Sequence, residues 1–385
     1  MKTRIIRIGS ILLGTVLVLN ALASCGGSPQ ASPASSSPPT AVISSPTKAS
    51  PSPQASPGTG TKPSTVTITD MTGRQVAIPA PENIKRVAVQ TSPQVLEAYA
   101  VGIQDKLCAV TNAVKMWEFL GKADPHLKDI PATRAGNAQI NMEALLQANP
   151  DVCIGGEMDM QVIEKSSGLP TLRISQGQPG AYFEQLKKEV TFFGTVFGKD
   201  SRVKTFNTYL DNMLTTVKTA TGDLTKDKKL KVFMAYNADH LTTFGSDTFM
   251  NEWIEAAGCV NSANISSLGG KEGGLATVSM EQILSWNPDI IVIDTGKPED
   301  LYADAVWSKL DAVKNKRVYR LPVGVFIWNR PSCEAGVMLP KWLSLTAYPS
   351  KFTNTDIKSE MKKFYGEVFQ FNFTDDDINK MLNPQ

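Results

Sequence analysis

The chain has 385 residues, 42% of them hydrophobic, with 39 basic against 37 acidic side chains, five cysteines and two histidines. That length and apolar content can bury two sizeable cores, while a near-balanced charge with no basic run excludes a nucleic-acid surface. Two histidines and no CxxC or Cys/His pairing leave little for a zinc site, and without GxSxG or HExxH a secreted α/β hydrolase has neither nucleophile nor metal.

The chain opens on a leader. Lys2, Arg4 and Arg7 form a charged n-region, Ile11 to Leu22 is an apolar run too short for a comfortable membrane span, and Leu22-Ala23-Ser24-Cys25 closes it. The tetrapeptide resembles the lipobox of bacterial lipoproteins. That resemblance implies removal of residues 1–24, diacylglycerol on the Cys25 sulfur and an extracytoplasmic protein anchored by lipid to the bacterial cell membrane. The alternative is an ordinary signal peptide that happens to end at a cysteine. Residues 25–64 are dominated by Ser, Pro, Ala, Thr and Gly without an aromatic side chain, so they read as a disordered tether that cannot bury enough surface to offset ordering. Removing the three leader cations leaves 36 basic against 37 acidic residues. Cys108, Cys153, Cys259 and Cys333 are expected as buried thiols, because Cys153 falls inside a predicted strand.

Thr65 to Ile78 alternates apolar and polar residues about Met71-Thr72-Gly73-Arg74 and predicts a hairpin. Arg86 to Val89 is then a strand, Ser92-Pro93 opens a helix to Ala100, and Leu107 to Val110 is the next strand. A loop is expected from Thr111 to Ala138. Asn141 to Asp151 (NMEALLQANPD) and Ser279 to Asp289 (SMEQILSWNPD) are two copies of one unit. Each predicts a short helix stopped at Asn-Pro, since the residue before proline is pushed out of the right-handed region. Val152-Cys153-Ile154 and Ile290 to Ile293 follow as apolar strands, the pattern of parallel strands covered on both faces. The spacing suits one such unit in each of two similar lobes. Helices are expected from Phe183 to Phe197 and from Ser201 to Thr221, the second long enough to bridge two lobes. Strands at Leu230 to Met234 and Arg317 to Leu321, and helices near Thr248 to Ala257, Leu339 to Thr346 and Lys358 to Phe369, complete a βα alternation.

With these elements in order, the chain resembles the substrate-binding lipoproteins of bacterial ABC importers that capture ferric siderophores, haem or cobalamin. The likeness covers about Thr65 to Gln385. It rests on Asp70 to Arg74 (DMTGR), Phe193-Gly194 and Gly198-Lys199, Glu255 to Asn261 (EAAGCVN), both repeats, and Leu321 to Trp328 (LPVGVFIW). Cys259 stands where family members have a second glycine. The resemblance implies two doubly wound α/β lobes, residues 65–180 and 230–385, joined by connecting helices in 181–229 of which one is long and rigid. It also implies a ligand between the lobes, a monomeric binding protein without catalytic residues or cofactor, and an ABC permease and ATPase as partners. One glutamate on each lobe then engages permease arginines, a role that falls on Glu143 and Glu281. The plainer reading is that each carboxylate serves the first turn of its own helix.

Ligand residues are sought after the strands, where open α/β sheets collect their ligands. Trp328 offers flat apolar area and Arg330 a partner for carboxylate or catecholate oxygen. Lys115, Met116, Trp117 and Arg134 occupy the corresponding region of the first lobe, and Glu157, Met158 and Tyr236 also follow strands. The alternative is a structural Trp328 packed under a loop, with exposed cations beside it. Met158 or His240 could be an axial haem ligand, although each is more often packing. The expected cargo is a ferric siderophore, with haem or a corrinoid as alternatives. A bare metal ion would want more histidines and carboxylates.

Overall fold

The computed structural model describes residues 64–134, 139–175, 180–266 and 274–384; the leader, Cys25 and the tether up to residue 63 lie outside them. The first lobe opens with the expected hairpin, strands β1 (Thr65–Thr69) and β2 (Gln75–Pro79), paired antiparallel. Its turn is held by Asp70, whose carboxylate accepts from Thr72 N and Oγ1, Arg74 N and Nε, and Arg173 N at 2.8–3.2 Å. The five residues of that motif therefore fasten the hairpin to the lobe.

The strands β3 (Val87–Val89), β4 (Leu107–Thr111), β5 (Ala132–Arg134), β6 (Val152–Gly156) and β7 (Thr171–Ile174) form one parallel sheet in the order β5-β4-β3-β6-β7. The expected loop from Thr111 is more structured than its composition suggests. It holds two 3-10 turns, the short helix Glu118–Ala123 and β5, so Arg134 ends a strand.

In the second lobe β8 (Lys231–Ala235), β10 (Val260–Asn261), β12 (Ile290–Ile293) and β13 (Val318–Arg320) form a parallel sheet in the order β10-β8-β12-β13. A two-stranded antiparallel sheet of β9 (Thr242–Phe244) and β11 (Leu275–Thr277) was not anticipated, because three-residue strands are too short to show a period.

Both sheets are covered on two sides, and the alternation shows it residue by residue. Val87 and Val89 face one core while Ala88 faces another, and Ile290 and Val292 part in the same way from Ile291 and Ile293. The first of these cores is shared by the lobes, running from Ile84 through Phe193, Phe206 and Leu210 to Trp253 and Met338. All four described cysteines are buried and free.

The two repeats fold alike. Asn141 caps the helix Met142–Gln147 and Ser279 caps Met280–Trp286. Asn149 and Asn287, each before a proline, turn the chain with φ of 45° and 41°. The aspartate after each proline then accepts backbone N–H groups at the start of the neighbouring strand, Asp151 from Lys85 and Arg86 and Asp289 from Lys231. A cation from that strand returns to the helix end: Arg86 donates to Ala148 O and Lys231 to Trp286 O, both at 2.6 Å.

The helices Tyr182–Phe197 and Asp200–Thr221 lie between the lobes, the second about 33 Å long. They touch closely at Gly194, where a Cβ would stand 2.0 Å from Val203 Cγ2. The end of the chain, expected in the second lobe, has contacts there, Val323 N donating to Met381 O and Lys362 pairing with Asp375, and it packs on the first lobe as well. Phe371 meets Tyr99 and Phe373 meets Phe119, with ring centroids 5.4 and 6.3 Å apart. Lys122 Nζ pairs with Asp377 at 2.5 Å, and Arg202 of the long helix donates to the carbonyls of Glu367 and Val368. Residues 64 onward accordingly form one unit.

Candidate functional site

Topology locates the site. In the first sheet the chain runs from β3 outward through β4 and β5, then reverses to β6 on the other side of β3. In the second it reverses between β8 and β12. Such switch points leave a crevice at the carboxyl ends of the flanking strands. In the first lobe that crevice is edged by Gln90, Thr91 and Ser92 after β3 and by Glu157 and Met158 after β6. In the second it is edged by Tyr236 and Asn237 after β8 and by Asp294 after β12.

Several polar atoms here are buried without a partner among the described residues: Gln90 Nε2, Thr91 Oγ1, the Tyr236 hydroxyl, His240 Nδ1 and Asn329 Oδ1. Asp294 organises the second-lobe side, accepting from Asn237 N at 3.1 Å and Asn329 Nδ2 at 3.4 Å. Burial raises its carboxyl pKa against the opposing pull of Arg320. Burial also lowers the His240 imidazole and pushes the Tyr236 phenol well up.

The residues expected from sequence divide. Arg330 is exposed, its guanidinium donating to its own neighbour Asn329 O at 2.9 Å. Lys115 is half-buried, while Met116 and Met158 are 76% and 82% exposed at the crevice end of the first sheet. Trp117 is half-buried and lies against Phe326 of the second lobe, centroids 4.3 Å apart, so it joins the lobes.

Trp328 corrects the expectation of an open aromatic face. It is fully buried, and its indole N–H donates to the buried Glu334 at 3.2 Å, the packed alternative noted above. Arg134 is ion-paired with Asp159 on the helix after β6. Glu157 pairs with Arg173 at 3.4 Å. Tyr236 lies within the shared core, so only its hydroxyl is a candidate. His240 is buried against Trp307, and among the described residues no group of three His, Cys, Asp or Glu side chains could hold a metal.

Sequence reasoning missed Gln90, Thr91, Asn237 and Asp294. Their signal was available as the first polar residues after β3, β8 and β12. Glu143 and Glu281 both project into solvent from the first turn of their helices. Ser279 and Glu281's own backbone lower the Glu281 pKa, Glu281's N–H being the larger cause. Two surface grooves of about 530 and 570 Å³ flank the long helix, one beside Tyr209 and Lys341 and one beside Leu214 and Lys229, away from the carboxyl ends of the strands.

A family described as "Periplasmic binding protein" matches residues 87–323. The molybdate-binding protein MolA of Haemophilus influenzae is 27% identical over 342 residues, covering 80% of this chain and 92% of that protein. An uncharacterised ABC transporter substrate-binding lipoprotein of Bacillus subtilis, YvrC, is 25% identical over 296 residues, 74% of this chain and 87% of its own length. The solved periplasmic solute-binding protein of Veillonella parvula superposes with a TM-score of 0.72 at 27% identity, over 83% of this chain and 97% of that one. The family match spans strands of both parallel sheets, from β3 to β13, and the superposition covers most of both chains. The chain belongs to the periplasmic binding protein family, with the class III architecture of a substrate-binding protein that serves an ABC importer.

Proposed function

We propose that this protein, anchored through Cys25, captures a small oxyanion in the crevice between its lobes and delivers it to an ABC permease without chemistry of its own. The observation that carries this reading is the set of desolvated donors without partners, Gln90 Nε2, Thr91 Oγ1 and the Tyr236 hydroxyl, at the switch points of both sheets. Each such group costs about 1–3 kcal/mol while unpaired, a cost that anion oxygens offset when the lobes part to admit them. Arg330 and Lys115 supply charge at the rim. The molybdate named for the relative MolA has the matching chemistry. A second reading, an iron chelate, is favoured by the apolar side chains Met116, Met158 and Ile327 exposed near the crevice, which suit a larger organic ligand.

Titration of tryptophan fluorescence with molybdate, a ferric hydroxamate, haemin and cyanocobalamin tests both. Molybdate is expected to bind, and Arg330→Gln to weaken it by roughly 10- to 150-fold, the loss of a charge-assisted contact. Binding of cyanocobalamin alone, indifferent to Arg330→Gln, contradicts both readings.

Glu143 and Glu281 are proposed as the permease contacts, because the same exposed carboxylate recurs at the same position of both repeats. Glu143→Ala with Glu281→Ala is expected to leave ligand affinity within about twofold while uptake falls, and charge reversal to be worse. Weakened binding with intact uptake rejects that role.

A further inference from the structure

Between β13 and the helix Ala335–Ala347 the chain makes a loop with a single isolated bridge, Val323 to Ile327. Its inner side closes on one group. The Glu334 carboxylate, fully buried, accepts from Val325 N at 3.0 Å, Phe326 N at 2.9 Å, Trp328 Nε1 at 3.2 Å and the Tyr365 hydroxyl at 2.5 Å. Gly324 leaves it room, since a Cβ there would stand 1.6 Å from Oε1.

The outer side of the same loop faces the crevice. Phe326 lies on Trp117 of the first lobe, Asn329 reaches Asp294, and Arg330 follows. A buried carboxylate is costly unless every lone pair is used, and an apolar side chain would fill the space with less risk. What four convergent donors supply is a fixed loop conformation, with a first shell oriented from behind.

We infer that Glu334 is the positioning residue of the crevice: it holds residues 324–330 in the one arrangement that sets Phe326 against Trp117 of the first lobe and Asn329 against Asp294, with Arg330 beside them. The inference rests on the crevice being the solute site.

Glu334→Gln tests it with little change of shape. The amide oxygen can still accept from Val325 N, the indole and the tyrosine, whereas the amide nitrogen meets Phe326 N–H donor to donor. In a variant that still melts cooperatively, hydrogen exchange is expected to quicken about 10- to 100-fold at the Phe326 amide and to stay unchanged at Val325, while molybdate affinity falls about tenfold. A folded variant with unchanged Phe326 exchange and unchanged affinity overturns the inference, as does a lowered melting temperature with unchanged affinity, which marks a merely structural residue. Wild-type protein that binds neither molybdate nor a ferric hydroxamate refutes the crevice reading and this role with it; wild type that binds, with Glu334→Gln equal to it, refutes this role alone. Should Glu334→Gln fail to fold, Trp328→Phe removes one donor and keeps the ring's bulk. Its expected loss of molybdate affinity is about two- to tenfold, and no loss overturns the inference.

Discussion

Gly324→Ala is expected to destabilise the protein by on the order of 4 kcal/mol, lowering the melting temperature by about 10 °C. The new methyl would lie 1.6 Å from Glu334 Oε1, 2.5 Å from the Tyr365 hydroxyl and 2.7 Å from Glu334 Cδ. The carboxylate has nowhere to retreat, because four donors converge on it from the loop and from Tyr365. Either it leaves, stranding two amides and an indole in an apolar core, or the loop backbone shifts away from Trp117. Each stranded donor costs about 1–3 kcal/mol. Gly156→Ala is the control, with nothing within 4 Å of its added methyl. Thermal melts of the two variants should differ widely, and equal melts reject this account of the loop.

Acidification from pH 8 to about 5 is expected to stabilise the fold, against the usual trend for carboxylates. Burial pushes the Glu334 carboxyl up to about 7 from 4.5, its hydrogen bonds only partly offsetting that cost. Glu97 is raised well above 4.5, first by complete burial and then by the charge of Glu189, and Glu189 is raised by its own burial. Between the unfolded and folded values the native state holds protons that the unfolded chain has released. Stability is therefore greatest near and below pH 4.5 for these groups and is lost as pH rises through their folded values. For Glu334 alone the difference is worth roughly 3 kcal/mol. Other groups act oppositely, His240 and two aspartates among them: burial lowers the His240 imidazole, so its contribution is present above 6.5 and is lost as pH falls through its folded value. The hydrogen bonds of Asp70 outweigh its burial, and Lys122 lowers Asp377, so both contributions are present above 3.8 and vanish as pH falls further. The melting temperature should peak near pH 5 and fall on either side. Glu97→Gln should flatten the alkaline limb; a melting temperature that rises steadily from pH 5 to 8 contradicts the assignment.

What the sequence disclosed follows from how local each signal is. The Asn-Pro-Asp corners were readable because helix period and proline lie within one eleven-residue repeat and the apolar strand follows at once. The capping work of Asp151 and Asp289 was not, since their partners lie on strands 65 and 58 positions earlier. Trp328 misled because a residue after a strand looks the same whether it faces a crevice or a core, and only Glu334, just before the next helix, turns it inward. The ion pair of Arg134 was hidden for a similar reason: its partner Asp159 sits 25 residues on, behind another strand. The long helix announced itself by its apolar stripe, but the packing of the chain's end on the first lobe is non-local and left no periodic trace.

That last contact also fixes an order of events. Lys122 and Asp377 are 255 positions apart, and the rings of Phe371 and Phe373 close over Tyr99 and Phe119. The first lobe is made early in synthesis, yet part of its apolar surface stays uncovered until the final residues arrive. Vectorial folding from the amino terminus is thus barred from completion, because the closing contacts carry a long loop-closure cost and come last. A chain cut before Phe371 loses both rings and the Lys122 partner together, so the first lobe keeps an open flank far from the cut in sequence, and aggregation of such a fragment is expected to begin there.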